Sequence, residues 1–255
     1  MLSYLKPYVT YLLAIVLISV TSAAMADGKL THLSGQVAVQ KADGSRVVGA
    51  AGVRVVQGDT VITGINGFAR IELSDGGEMV IRPDTQLKIE NYFYNKDQPA
   101  QDSFIFRTIK GGFRAITGLI SKRGNRDAYQ ANTPTAIIGV RGTQYDLRVC
   151  QADCGAMDDG TYVAVRFGEV LAANTQGSLA IKAGQAGFAA TNQPPVPLPQ
   201  DPGIGFTPPA SIPKLDEKKK HASEQDGAML PNLAENQQSR SDASATSAEP
   251  SCSIQ

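Results

Sequence analysis

The sequence predicts an all-β fold, either a short-stranded β-sandwich or a solenoid-like β stack. Three observations predict it. Helical periodicity is almost absent from residue 27 onward, and short alternating apolar runs take its place. Glycine-bearing turns punctuate the runs, with Ala42-Asp43-Gly44-Ser45 and Ser74-Asp75-Gly76-Gly77 the clearest. A pattern of strand, Gly-acid, strand, polar-Gly turn, strand occupies residues 55–73 and again 163–181. The echo is too degenerate for a true repeat, but it argues for stacked short strands.

Residues 1–26 read as a secretory signal peptide. Lys6 is the one charge, residues 11–20 are an apolar run, and Ala24-Met25-Ala26 fits the small-x-small cleavage rule before Asp27. The run is short for a spanning helix, which needs roughly 20 residues. A retained anchor is the alternative, and no later segment is long and apolar enough to span.

A first strand is expected over 30–39, around an irregularity at Gly35. Short strands over 53–56 and 60–63 flank a turn at Gln57-Gly58-Asp59. Residues 68–73 alternate, with Ala69, Ile71 and Leu73 inward against Phe68, Arg70 and Glu72. Strands over 78–82 and 85–90 place Met79, Ile81, Leu87 and Ile89 inward, with Pro83-Asp84 between them. Residues 91–102 form a polar loop. The sheet resumes over 104–109, and Gly111-Gly112 breaks it.

Residues 132–149 then read as strand, glycine-punctuated bend, strand. Residues 136–140 suit a buried strand, and Gly139 and Gly142 bracket Val140 and Arg141. Residues 143–149 alternate, with Tyr145, Leu147 and Val149 on one face and Gln144, Asp146 and Arg148 on the other, as in a half-buried strand. The earlier chain builds a sheet onto which this pair closes. Strands over 161–167, 170–173 and 179–182 and a last one over 188–190 follow, the first two separated by a turn at Gly168-Glu169.

From Gln193 the composition shifts to proline and then to Ser, Ala, Gln and Asp, with no aromatic after Phe206. Such a segment buries too little surface to offset its ordering entropy, so 193–255 is expected to be a disordered proline-rich tail. The folded unit is then 27–192, with 18 basic and 16 acidic residues. Its near neutrality gives no reason to expect nucleic acid or a membrane surface as partner. Export favours a disulfide between Cys150 and Cys154, three free thiols being the alternative, and leaves Cys252 over. The last four residues match a prenylation box, which has no meaning behind an export signal.

Several of these stretches together resemble the FecR domain family of exported bacterial proteins. They are G-x-V at Gly35, V-V-Q-G-D-T-V-I-T over 55–63, G-F-A-R-I-E-L-S-D-G from Gly67, residues 80–87, and Thr133-Pro134-Thr135 with Gly139 to Leu147. The resemblance implies an extracytoplasmic β-rich module. In the best-known members the module lies beyond a membrane helix and relays the state of an outer-membrane receptor to an anti-sigma segment. This sequence shows no anti-sigma region ahead of its apolar segment. What carries over is a module that binds a protein or a ligand.

No phosphate loop, zinc-protease helix or nucleophile elbow is present. The two histidines, His32 and His221, lack partner motifs. Asp59 and Asp75 sit in turns where aspartate bonds its own backbone. No metal or cofactor is expected. One charge feature stands out: from Ser103 to Asn125 there is no acid, while Arg107, Lys110, Arg114, Lys122 and Arg123 are basic, and Arg126 follows. With Arg141 they are read as a site for an anionic partner, against an ordinary solvated face. The expected function is a non-enzymatic, periplasmic or secreted module that binds an envelope protein, with a possible place in signal transduction. The alternative is a glycan-binding or surface-assembly protein whose ligand is an acidic polysaccharide, and an envelope enzyme comes third.

Overall fold

The computed structural model describes residues 26–123, 125 and 127–215. Its regular structure consists of β-strands and one 3-10 turn at Pro99–Gln101. The strands are β1 (Gly28–Ser34), β2 (Val37–Gln40), β3 (Arg46–Val48), β4 (Arg54–Val55), β5 (Thr60–Thr63), β6 (Phe68–Leu73), β7 (Glu78–Ile81) and β8 (Gln86–Phe93). They continue with β9 (Ser103–Ile116), β10 (Tyr129–Asn132), β11 (Ile137–Cys150), β12 (Gly160–Asn174), β13 (Gly177–Lys182), β14 (Ala186–Ala189) and β15 (Val196–Leu198). The all-β expectation holds.

All of these strands join one hydrogen-bonded sheet, and the sheet folds over on itself. Three long strands make the fold. β9 pairs with β8 and β10 through residues 103–110, then with β7 and β11 through 111–116. β11 pairs with β10 at one end and with β9 at the other. β12 pairs with β13 over 169–174 and with β14 over 161–164. At each changeover stands a glycine with positive φ: Gly111 at 80°, Gly142 at 58° and Gly168 at 78°. Glycine reaches that region without the Cβ clash that other residues meet, so the ladder bends without ending.

Two layers result. The first runs β3-β2-β5-β8-β9-β10-β11-β12-β13, and the second runs β4-β1-β6-β7-β9-β11-β12-β14-β15. Strands that pass from one layer to the other form the corners. One apolar cluster lies between, with Val39 and Val61 from the first layer and Leu30 and Ile71 from the second. At its centre Phe106 meets Phe113 edge-on at 5.4 Å across the β9 bend, and Phe113 meets Tyr145 at 5.5 Å.

Three expectations change here. Gly111-Gly112 and Gly168-Glu169 do not end strands, because their backbone stays in register with a neighbour on both sides. β11 is not half-buried: Gln144 and Asp146, expected outward, are 4% and 1% exposed. The folded unit does not stop at Asn192. β15 pairs with β14, and Ile204 and Ile212 are 4% and 3% exposed. The proline-rich segment adds to an existing face, so it needs no core of its own. The expected signal peptide, apart from Ala26, lies outside the described residues, as do 216–255 with His221 and Cys252.

The core also carries a pH dependence. Tyr92, Tyr129 and Tyr145 are buried, and burial raises all three phenols above their ordinary value near 10. The unfolded chain therefore releases these protons before the folded chain does. Stability is full below about pH 10 and falls as pH rises beyond it. Urea midpoints measured from about pH 8 to about pH 11.5 should drop only in the upper part of that range. A flat profile would contradict it.

Candidate functional site

The basic residues singled out in the sequence are not gathered together. Alternation along β9 puts Arg107 on the outer face of the first layer, where it bonds Glu90 at 2.6 Å. Past the Gly111 corner, Arg114 lies on the outer face of the second layer and bonds Asp146 at 2.7 Å. Lys110 pairs with Asp84. Arg123 holds Asp102 at 3.1 Å, two backbone carbonyls at Asn95 and Lys96, and the ring of Tyr94. Lys122 lies beside the Gly142 corner, and Arg126 falls outside the described residues. Four of the expected anion-site residues thus hold carboxylates of the chain itself. Sequence distance hid those partners, since each lies 17 to 32 residues away.

Arg141 is different. It projects from the outer face of the first layer, with Glu169 as its cross-strand neighbour on β12. Two residues earlier, Gly139 faces the same way and has no side chain, and it pairs with Leu171. The gap becomes a cleft of about 450 Å³ lined by Asp127, Gly139, Val140, Arg141, Glu169, Val170 and Leu171. Ile137, Phe167 and Leu171 are about half exposed. The face is a mixture of apolar side chains and charge of both signs.

The outer face of the second layer is covered. Residues 201–213 cross it as a strap that the sequence did not foretell. Phe206 lies under two guanidinium groups, 5.3 Å from Arg82 and 5.1 Å from Arg114, and 6.2 Å from the Phe68 ring. Arg82 donates to the Ile204 carbonyl at 3.1 Å and Arg70 to that of Pro213 at 3.5 Å. Beneath the strap, Asp146 accepts from both Arg114 and Arg166. Arg82 has no carboxylate at ion-pair distance among the described residues. Burial and the nearby Arg148 push its guanidinium down to about 10, against the pull of Asp146 and Asp153. Phe206 was the one sequence signal of the strap, and the proline density around it masked that signal.

Cys150 and Cys154 lie at disulfide distance, as expected, with their Cα atoms 5.5 Å apart. Cys150 and Ile204 belong to one apolar cluster with Tyr162, Ala164 and Ala186, so the Cys150–Cys154 loop abuts the strap. The turn aspartates are structural. Asp59 accepts from the Val56 amide and from Lys41. Asp75 accepts from the Gly77 and Ile120 amides, fastening residues 118–120 to the β6–β7 turn.

No curated protein matches the chain. Residues 59–171 match the family model described as FecR protein. Two crystal structures of a candidate anti-sigma factor from Parabacteroides distasonis ATCC 8503 are similar over 56% of this chain and 60% of that chain. They have 15% and 16% identity and TM-scores of 0.45 and 0.43. A cell surface anchoring domain aligns over 24% of this chain and 80% of its own, with 38% identity and a TM-score of 0.23.

Within the matched residues the most specific motif positions serve the corners. Gly142 is the β11 corner. The Thr143 amide donates to the Thr117 hydroxyl at 2.9 Å and its hydroxyl donates to the Glu169 carbonyl at 2.8 Å, joining the β11 and β12 corners. Thr133 accepts from the Ala136 amide and from the Thr161 hydroxyl, which fixes the turn into β11. The matched residues include the Arg141 cleft, while the strap lies beyond them.

Proposed function

We propose that this chain is a non-enzymatic, exported FecR-type module that docks a protein partner and serves signal transduction in the bacterial envelope. The observation that carries it is the outer face of the first layer, where half-exposed Leu171 lines a cleft flanked by Arg141, Glu169 and Asp127, and Ile137 lies on the same face of β11 as Arg141. Apolar anchors beside arginine, with charge at the rim, are the usual make-up of protein–protein interfaces. The acids Asp59, Asp75, Glu78 and Asp84 hold turns or cations, which leaves them poorly placed for proton transfer. Among the described residues no helix is long and apolar enough to cross a membrane. An envelope location, periplasmic or secreted, rests on the residues read as a signal peptide.

The test is capture from an envelope extract by the full chain and by an Arg141→Glu, Leu171→Asp double variant. A partner retained by the parent and weakened at least about tenfold in the variant supports the cleft as its docking face, since removal of interface anchors commonly costs 1–2 kcal/mol or more each. Equal retention by both excludes the cleft. Retention on acidic polysaccharide in place of a protein favours the glycan reading.

A further inference from the structure

We infer that the strapped face of the second layer is a second docking site. Its ligand is an extended segment of a partner protein that carries an apolar, an acidic and an aromatic residue in succession. The inference rests on the reading of the chain as a partner-binding module, but on another face than the Arg141 cleft.

The strap already shows the first and third positions. Ile204 is buried against Cys150, Tyr162 and Ala164, and Phe206 stacks under Arg82 and Arg114. Between them the strap has Gly205, at a point where charge is left over. A Cβ built on Gly205 would lie 3.3 Å from Arg166 Nη2 and 3.6 Å from Arg114 Nη2. Both guanidiniums share the single carboxylate of Asp146. Arg82 beside them receives only a carbonyl and a ring. Three cations thus face the strap against one buried anion, with Arg148 occupied by Asp153 and Arg70 by Glu78. The strap's own acid, Asp201, accepts from the Gly203 and Ile204 amides. A segment with Asp or Glu in the place of Gly205 completes the charge balance that the strap leaves open. Such a segment displaces the strap, whose proline-rich lead at 194–202 keeps it tethered nearby.

The full-length chain carrying Phe206→Ala loosens the strap and is titrated with two fluorescein-labelled peptides. One copies residues 201–213, and the other copies them with Gly205→Asp. The acidic peptide should bind at least about tenfold tighter at low salt, with the advantage shrinking as exposed charges are screened. Adding Arg166→Ala should remove the advantage. Equal affinities, or no saturable binding of either peptide, overturn the inference. Should the Phe206→Ala chain fail to fold, the unaltered chain decides by hydrogen exchange. There the acidic peptide should speed exchange at the Ile204 and Ile212 amides, and unchanged exchange at saturating peptide overturns the proposal. Failure here leaves the Arg141 cleft untouched, because no residue of that cleft enters the assay.

Discussion

Replacing Asp146 with alanine should lower the unfolding free energy by about 3–5 kcal/mol, the range seen when one partner of a buried ion pair is removed. Asp146 is 1% exposed and bonds Arg114 at 2.7 Å and Arg166 at 2.8 Å. Alanine leaves two guanidiniums facing each other under the strap with no anion between them. Their repulsion adds to the desolvation that the carboxylate now offsets. The loss should be largest at low salt, because Arg166 is partly exposed and screening relieves part of its repulsion. Urea unfolding of the Asp146→Ala chain measures it. A shift under about 1 kcal/mol would mean that the strap and solvent stabilise the arginines without Asp146. Asp146→Ala combined with Arg114→Leu should recover part of the loss, since an apolar replacement no longer asks for a counter-charge.

Gly111→Ala should be comparably severe, at about 3 kcal/mol or more, and should cost soluble yield. Gly111 has φ of +80°, which charges any L-residue about 1–3 kcal/mol of strain. The added Cβ would also meet the Asp84 carbonyl at 2.5 Å and the Thr85 Cα at 2.6 Å. Both are backbone atoms, so no rotamer change relieves the overlap. The Thr85 hydroxyl bonds the Gly112 amide at 2.9 Å and the Gly112 carbonyl at 3.1 Å, so β9 cannot shift away without breaking those bonds. Displacing the corner disturbs both layers at once, because β9 serves in each. Gly76→Ala is the control: it shares a positive φ but has open space around it, so its cost should be the backbone term alone. Equal losses for the two variants would show that the crowding at Gly111 does not matter.

The alternation of Tyr145, Leu147 and Val149, the Ser74–Gly77 turn and the pairing of Cys150 with Cys154 were legible because each is local. Side-chain direction repeats every two residues, turn geometry spans four, and a five-residue loop lets two thiols meet. The motif spacing that matches the FecR family model was legible for the same reason, since its glycines, threonines and aspartates answer short-range demands of the backbone. Among the described residues expected to bind an anion, Arg141 was placed by local pattern on an open, chemically mixed face. That Arg107, Lys110, Arg114 and Arg123 each hold a carboxylate of the chain itself was not legible, because acid-free sequence around a cation says nothing about acids on neighbouring strands.

By itself, then, the sequence determined the strand content, the turns, the inward set of side chains and the cysteine pair. Only the tertiary structure decided whether Gly111, Gly142 and Gly168 end strands or bend them. The φ value is local, but whether the ladder continues past it depends on which other strands come to lie beside it. Tertiary structure alone also decided the fate of residues 201–213. Their own apolar content cannot fold them, and they order only because Arg82, Arg114 and Phe68 stand ready on a finished sheet to receive Phe206.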